Sequence, residues 1–208
     1  LGALNMDLKL LLESSPRMRA LHRIAKNLMG EDAAHGWPHI ERVIAWSNRI
    51  VNAEGLDVDP ELLLASILLH DIGRALGGEK EHHAVKSAKI GELILEKLEY
   101  NRNFIEDCKK AILAHSYTLN VEPETLEAKV LSDADKLDAM GAIGIARVFH
   151  TGALNARSFE DSVAHLKTKI LNLRELLYFN YSRNVAASLE SKVKVFMEWW
   201  AEEESFPS

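Results

Sequence analysis

The segment Asp59-Pro-Glu-Leu-Leu-Leu-Ala-Ser-Ile-Leu-Leu-His-Asp-Ile-Gly-Arg74 decides the fold. Asp59 is a helix-capping residue and Pro60 suits the first helical turn, so a helix begins here. Leu62 to Leu69 are apolar all the way round apart from Ser66, which marks a helix that is central and buried. His70 and Asp71 then stand at its end, where an isolated carboxylate would cost several kcal/mol unless paired or metal-bound. Gly73 is read as the residue that ends the helix, with both polar side chains leaving the last turn toward one point.

Outward from this segment the periodicity is helical throughout, and no alternating stretch is long enough to make a strand. Upstream, Pro38 to Glu54 carries Ile40, Val43, Ile44, Ile50 and Val51 on one face. Downstream, a glycine-containing loop from Gly73 to Gly78 leads to helices expected at His82–Leu98, Arg102–His115, Pro123–Asp138 and Gly141–Phe149. Gly141 and Gly144, three residues apart, would let another helix approach closely. Two more helices are expected at Ser158–Arg174 and Val185–Glu203. The fold class is all-α, a helical bundle with additional C-terminal helices.

The 208 residues carry 25 Lys plus Arg against 31 Asp plus Glu, a net charge of -6, and 47% are hydrophobic. This suits one all-α domain spanning residues 6–208, able to bury a core without disulfides or a structural metal. The five residues before Met6 lack a basic segment and a cleavage pattern, and the fold reading omits them. Cys108 is the only cysteine, which excludes a disulfide framework and multi-cysteine metal sites and points to a reducing, cytoplasmic compartment. The run from Leu62 to Leu69 is far shorter than a membrane span requires. The acidic balance argues against a nonspecific nucleic-acid binder.

Polar residues recur where packing alone would place Leu or Val. His115 continues the apolar face of Phe104, Cys108, Ala111 and Ile112, and is directed at the core. Asp135 falls four residues after Leu131, on that residue's side of its helix. Asp133 and Asp138, on the same helix, admit a plainer reading as surface charges. His39 lies in the first turn of its helix with Arg42 three residues on. A divalent ion held by His nitrogens and Asp oxygens from several helices accounts for His39, His70, Asp71, His115 and Asp135 together.

These residues fall in four motifs: His39-Ile-Glu-Arg-Val, Leu-Leu-His70-Asp71-Ile-Gly-Arg74, Ala-His115-Ser and Asp133-Ala-Asp135-Lys136-Leu. In order and spacing they resemble the HD-domain metal-dependent phosphohydrolases over about residues 35–149, leaving 150–208 as a C-terminal extension packed on that core. The resemblance implies that His39, His70, Asp71 and Asp135 are the ligands of the principal metal. It also implies a second metal held through His83, which is preferred to His82, and His115; the plainer reading of His82 and His83 is an exposed helix N-terminus. His35 is not expected to be a ligand.

The reaction implied is hydrolysis of a phosphate ester, of a nucleotide or related small molecule, by attack of metal-bound hydroxide. Asp71 would hold the metal or bridge two. Arg74, where the family often has Lys, and with it Arg42 and Lys136, would neutralise phosphoryl charge; a solvent-facing Lys136 is equally open. The ion would be Mn, Fe, Co, Ni or Zn, with Mg acting alongside substrate oxygens, and one or two ions would bind. Alternatives are a di-iron oxygenase on the same scaffold and a non-catalytic nucleotide-binding module. A ferritin-like site is disfavoured, since only Glu79-Lys-Glu-His82 approaches its motif. The basic residues Arg157, Lys167, Lys169, Arg174 and Arg183 read as a solvated face, and an oligomer is compatible with the sequence.

Overall fold

The computed structural model describes residues 8–76 and 81–205. Every regular element among them is helical, and none is a strand. The helices divide into two compact units, residues 1–135 and 136–208, with one helix running across the division.

In the first unit, α1 (Leu8–Ser14) and α2 (Pro16–Met29) precede the stretch where helices were expected. The signal for α2 is legible: Ser15 accepts a hydrogen bond from the Met18 N–H, Pro16 occupies the first turn, and Met18, Leu21, Ala25 and Met29 are buried along one side. Helix α3 (Trp37–Glu54) buries the expected Ile40, Val43, Ile44, Ile50 and Val51 and stops at Gly55, in the left-handed conformation. Helix α4 (Pro60–Leu69) starts at Asp59, whose carboxylate accepts from the Glu61 and Leu62 N–H groups, and buries every residue from Leu62 to Leu69.

The end of α4 differs from expectation. The break comes at Asp71 rather than at Gly73, and Gly73 to Ala75 belong to a one-turn helix, α5 (Ile72–Ala75), not to a loop. The reason is steric. A Cβ on Gly73 would lie 2.4 Å from the carbonyl oxygen of His83, while the Gly73 N–H donates to Ser87 Oγ at 2.9 Å. This glycine lets the α5 turn seat directly on the next helix, α6 (His83–Lys97). Gly77 and Gly78 of the expected loop lie outside the described residues. Helix α7 (Arg102–His115) matches its expected range and is capped by Asn101, which accepts from the Phe104 N–H.

Helix α8 (Leu126–Asp138) crosses from one unit to the other. Ala128, Val130, Leu131, Ala134 and Leu137 are buried, and so are Asp133, Lys136 and Asp138. The surface reading of Asp133 and Asp138, and the solvent-facing alternative for Lys136, are therefore corrected: α8 is enclosed on most of its circumference. Asp138 is compensated by Arg147, at 2.8 Å.

The second unit continues through α9 (Gly141–Leu154), α10 (Phe159–Thr168), a 3₁₀ segment (Ile170–Leu176) and α11 (Asn180–Glu204). Gly141 has a φ of 65°, and a Cβ there would meet Leu189 of α11 at 2.8 Å, so the expected close approach occurs at this glycine. Gly144 abuts the Ala139 carbonyl instead, within its own chain turn. Phe149, Phe159, Phe196 and Trp200 form an aromatic cluster joining α9, α10 and α11.

Candidate metal centre

Two histidines in the first unit are positioned by the same local device. His70 follows the last residue of α4 and His115 is the last residue of α7. The final carbonyls of a helix lack intrahelical donors, and a nearby histidine can supply one. His70 Nδ1 hydrogen-bonds the Ile67 carbonyl at 2.7 Å, and His115 Nδ1 hydrogen-bonds the Ile112 carbonyl. A carbonyl can only accept, so each Nδ1 carries the proton. In the neutral ring the lone pair then sits on Nε2. Both rings are buried.

These lone pairs converge with carboxylates. His39 Nε2 lies 3.2 Å from His70 Nε2 and 3.5 Å from Asp135 Oδ1, which is 4.0 Å from His70 Nε2. His115 Nε2 lies 3.7 Å from Asp71 Oδ1. The ligand atoms of His39, His70 and Asp135 all fall within 4.8 Å of one another, as do those of His70, Asp71 and His115, so the two triads share His70. Atoms bound at ordinary transition-metal distances to one ion are separated by about 3 to 4 Å, which these spacings match. Bare lone pairs facing carboxylate oxygens repel, whereas a cation between them satisfies both. The donor set, imidazole nitrogen and carboxylate oxygen, fits a divalent transition metal.

The electrostatics agree. Burial pushes His70 down to about 4, against the opposing pull of Asp71, so the ring is neutral near pH 7 and able to ligate. Burial alone would raise the Asp71 carboxyl, but the Arg74 guanidinium and the surrounding imidazoles hold it well below the usual carboxylate range. Asp135, half-buried, is likewise lowered, by His39, His70 and His115. Both carboxylates are therefore ionised.

Of the remaining expected residues, Arg74 and His83 lie beside this centre. Arg74 Nε lies 2.9 Å from each Asp71 carboxylate oxygen, and His83 Nε2 is 3.6 Å from Asp71 Oδ1. Arg42 sits one turn beyond His39 on α3, half-buried, and Lys136 follows Asp135 on α8. The His35 ring stands 6.3 Å from that of His39, beside the triad rather than in it. His82 caps the start of α6: its Nδ1 accepts from the Ala84 N–H, and its Nε2 meets Thr118 Oγ1 at 2.7 Å. A polar residue directly before a helix is the usual signal for such a cap.

Residues 36–140, half of the chain, match the HD domain family model. The chain belongs to the HD-domain family. HD domains bind divalent metals, and family membership supports a metal-dependent phosphohydrolase in general terms. Among relatives, the uncharacterised protein YpgQ of Bacillus subtilis is 28% identical over 165 residues, covering 76% of this chain and 79% of YpgQ. The structure of YpgQ in complex with ADP superposes with a TM-score of 0.71 at 22% identity, over 92% of this chain and 96% of that one. A Lactobacillus plantarum protein shares the HD fold with a TM-score of 0.80 at 21% identity, over 92% and 98% of the two chains. A predicted HD superfamily hydrolase from an uncultured Thermotogales bacterium is 28% identical, with a TM-score of 0.66 over 96% and 99%. No helix among the described residues of this HD-domain protein is long and apolar enough to cross a membrane.

Proposed function

We propose that this protein hydrolyses a phosphate ester of a nucleotide or a related small phosphorylated molecule, at a divalent transition metal held by His39, His70, Asp71 and Asp135. The observation that carries the reading is the pair of triads sharing His70, whose Nε2 lone pair is committed to the site by the bond from Nδ1 to the Ile67 carbonyl. The nucleotide class is supported by the ADP held by YpgQ, a relative of the same fold.

A bound divalent ion supplies Lewis acidity and lowers the pKa of a coordinated water toward neutrality. The chain's own residues set where that chemistry occurs. His39 and His70 present nitrogen from α3 and the end of α4, Asp135 presents oxygen from α8, and Asp71 presents oxygen from the break between α4 and α5. His115 stands close enough to His70 and Asp71 to join the set. Arg74 is held beside Asp71 and exposed, placing a permanent positive charge where phosphoryl oxygens would meet it. Arg42 and Lys136 are assigned the same task of charge neutralisation, from α3 and α8.

The test is metal analysis of protein purified without chelator, then a panel of phosphoesters and nucleotides with Mn, Co, Ni, Fe and Mg. Metal-dependent phosphate or pyrophosphate release is expected, with His70→Ala and Asp71→Ala losing metal and turnover together. Full metal loading with no turnover on any phosphoester would favour a binding module. Turnover that requires oxygen would replace hydrolysis with di-iron chemistry.

A further inference from the structure

We infer that Arg74 is a built-in cation between Asp71 and His83, taking the place of a second metal, so that the protein loads a single divalent ion. The inference rests on the proposed reading of the site as a metal centre and concerns how many ions it accepts.

Arg74 grips two of the groups a second ion would use, Asp71 and His83. Its Nε lies 2.9 Å from each oxygen of Asp71, and its Nη2 lies 2.8 Å from His83 Nε2. A guanidinium has donors only and keeps its charge at any ordinary pH, so His83 Nε2 is the acceptor in that contact. The lone pair that would ligate a metal is thus already engaged. His83 belongs to neither triad, whereas His115 does.

The backbone enforces this arrangement from both ends. The Arg74 N–H donates to the Asp71 carbonyl at 2.9 Å, which closes the turn that carries both side chains. The same turn is seated on the start of α6 through Gly73, whose N–H donates to Ser87 Oγ and whose missing side chain leaves the space occupied by the His83 carbonyl. Arg74 and His83 are therefore presented to each other by a contact too close for any other residue at position 73.

The neighbouring histidine offers no substitute. His82 Nδ1 accepts from the Ala84 N–H at 3.2 Å, so its proton sits on Nε2, which donates to Thr118 Oγ1 at 2.7 Å. Charge points the same way. The carboxylates of Asp71 and Asp135, set against Arg74 and one divalent ion, leave a surplus of a single positive charge, which suits a phosphate ester. A second divalent ion would add two more positive charges beside a guanidinium at close range, an arrangement that only further anions could stabilise.

The test is stoichiometry rather than turnover. Metal-free protein is titrated with Mn(II) by calorimetry, the bound metal is counted after dialysis, and the electron paramagnetic resonance spectrum is recorded. The wild type is expected to hold one equivalent with the spectrum of an isolated ion. Arg74→Ala and Arg74→Gln, checked for folding by circular dichroism, are expected to rise from one toward two equivalents and to show the broadened spectrum of a coupled pair. The double variant Arg74→Ala with His83→Ala should return to one. Two equivalents in the wild type overturn the inference while leaving the metal-centre reading intact, and so does a folded Arg74→Gln that stays at one. No bound metal in the wild type overturns both.

Discussion

His39 and His70, 31 residues apart in sequence, bring their Nε2 atoms to 3.2 Å in the interior of the first unit. Because His70 donates from Nδ1 to the Ile67 carbonyl, its Nε2 can only accept, and the position between the two rings and Asp135 is suited to a shared cation. His39→Ala and His70→Ala are each expected to weaken divalent metal binding by more than about 100-fold, beyond the 10- to 100-fold range usual for outer-shell partners. Calorimetric titration of the metal-free variants with Mn(II) measures this. Near-wild-type affinity in either variant would remove that residue from the ligand set.

The metal-free protein should lose stability as the solution is acidified from about pH 6.5 to 4. Burial lowers His70 from 6.5 to about 4, so in this window the unfolded chain takes up a proton that the folded one refuses. Protons then favour unfolding, by up to about 1.4 kcal/mol per pH unit for this one group. Asp71 and Asp135, both held below their usual range, act in the same direction at lower pH. Urea denaturation at intervals across pH 7 to 4 checks the slope. Saturating metal should raise stability above pH 6.5, by about 2.7 kcal/mol at a hundredfold excess over its Kd.

Gly73→Ala is expected to destabilise the protein by roughly 1 to 3 kcal/mol, since the added methyl would lie 2.4 Å from the His83 carbonyl and backbone would have to move. Ser87→Ala should cost about 1 to 3 kcal/mol by orphaning the buried Gly73 N–H. Thermal unfolding of the metal-free forms reads both. A Gly73→Ala variant as stable as the wild type would show that the α5 turn is not seated as described.

Cys108 should be inert in the folded state. Its side chain is fully buried, Ser66 Oγ lies 3.4 Å from its Sγ, and burial pushes the thiol up to about 12. Only the thiolate is an effective nucleophile. A disulfide reagent at pH 8 is expected to modify it no faster than the protein unfolds, with the rate rising steeply in urea. Rapid labelling in native buffer would place Cys108 at the surface.

Much of the candidate centre was legible because a buried helix makes polar residues conspicuous. His70 and Asp71 end a run with no polar face on which to be solvated, and His115 continues the stripe of Cys108, Ala111 and Ile112, all of them buried. Asp135 shares the side of Leu131 and does reach His39. Less was legible on α8. Asp133, Lys136 and Asp138 carry charge, and charge ordinarily marks an exposed face, yet enclosure of the helix buries all three. Helix α2 carries a legible signal in the Ser15–Pro16 start and the spacing of Met18, Leu21, Ala25 and Met29.

The sequence by itself determined the helical class, the cap at Asp59 and which histidines and aspartates are candidate nitrogen and oxygen donors, because periodicity and residue chemistry are local properties of the chain. Only the tertiary structure decided that His70 serves two triads, that the helix breaks at Asp71, and that Arg74 lies across Asp71 and His83. Those outcomes depend on the close seating of α5 on α6 at Gly73 and on the tautomers set by carbonyls at helix ends. Both are distances between groups that folding alone brings together.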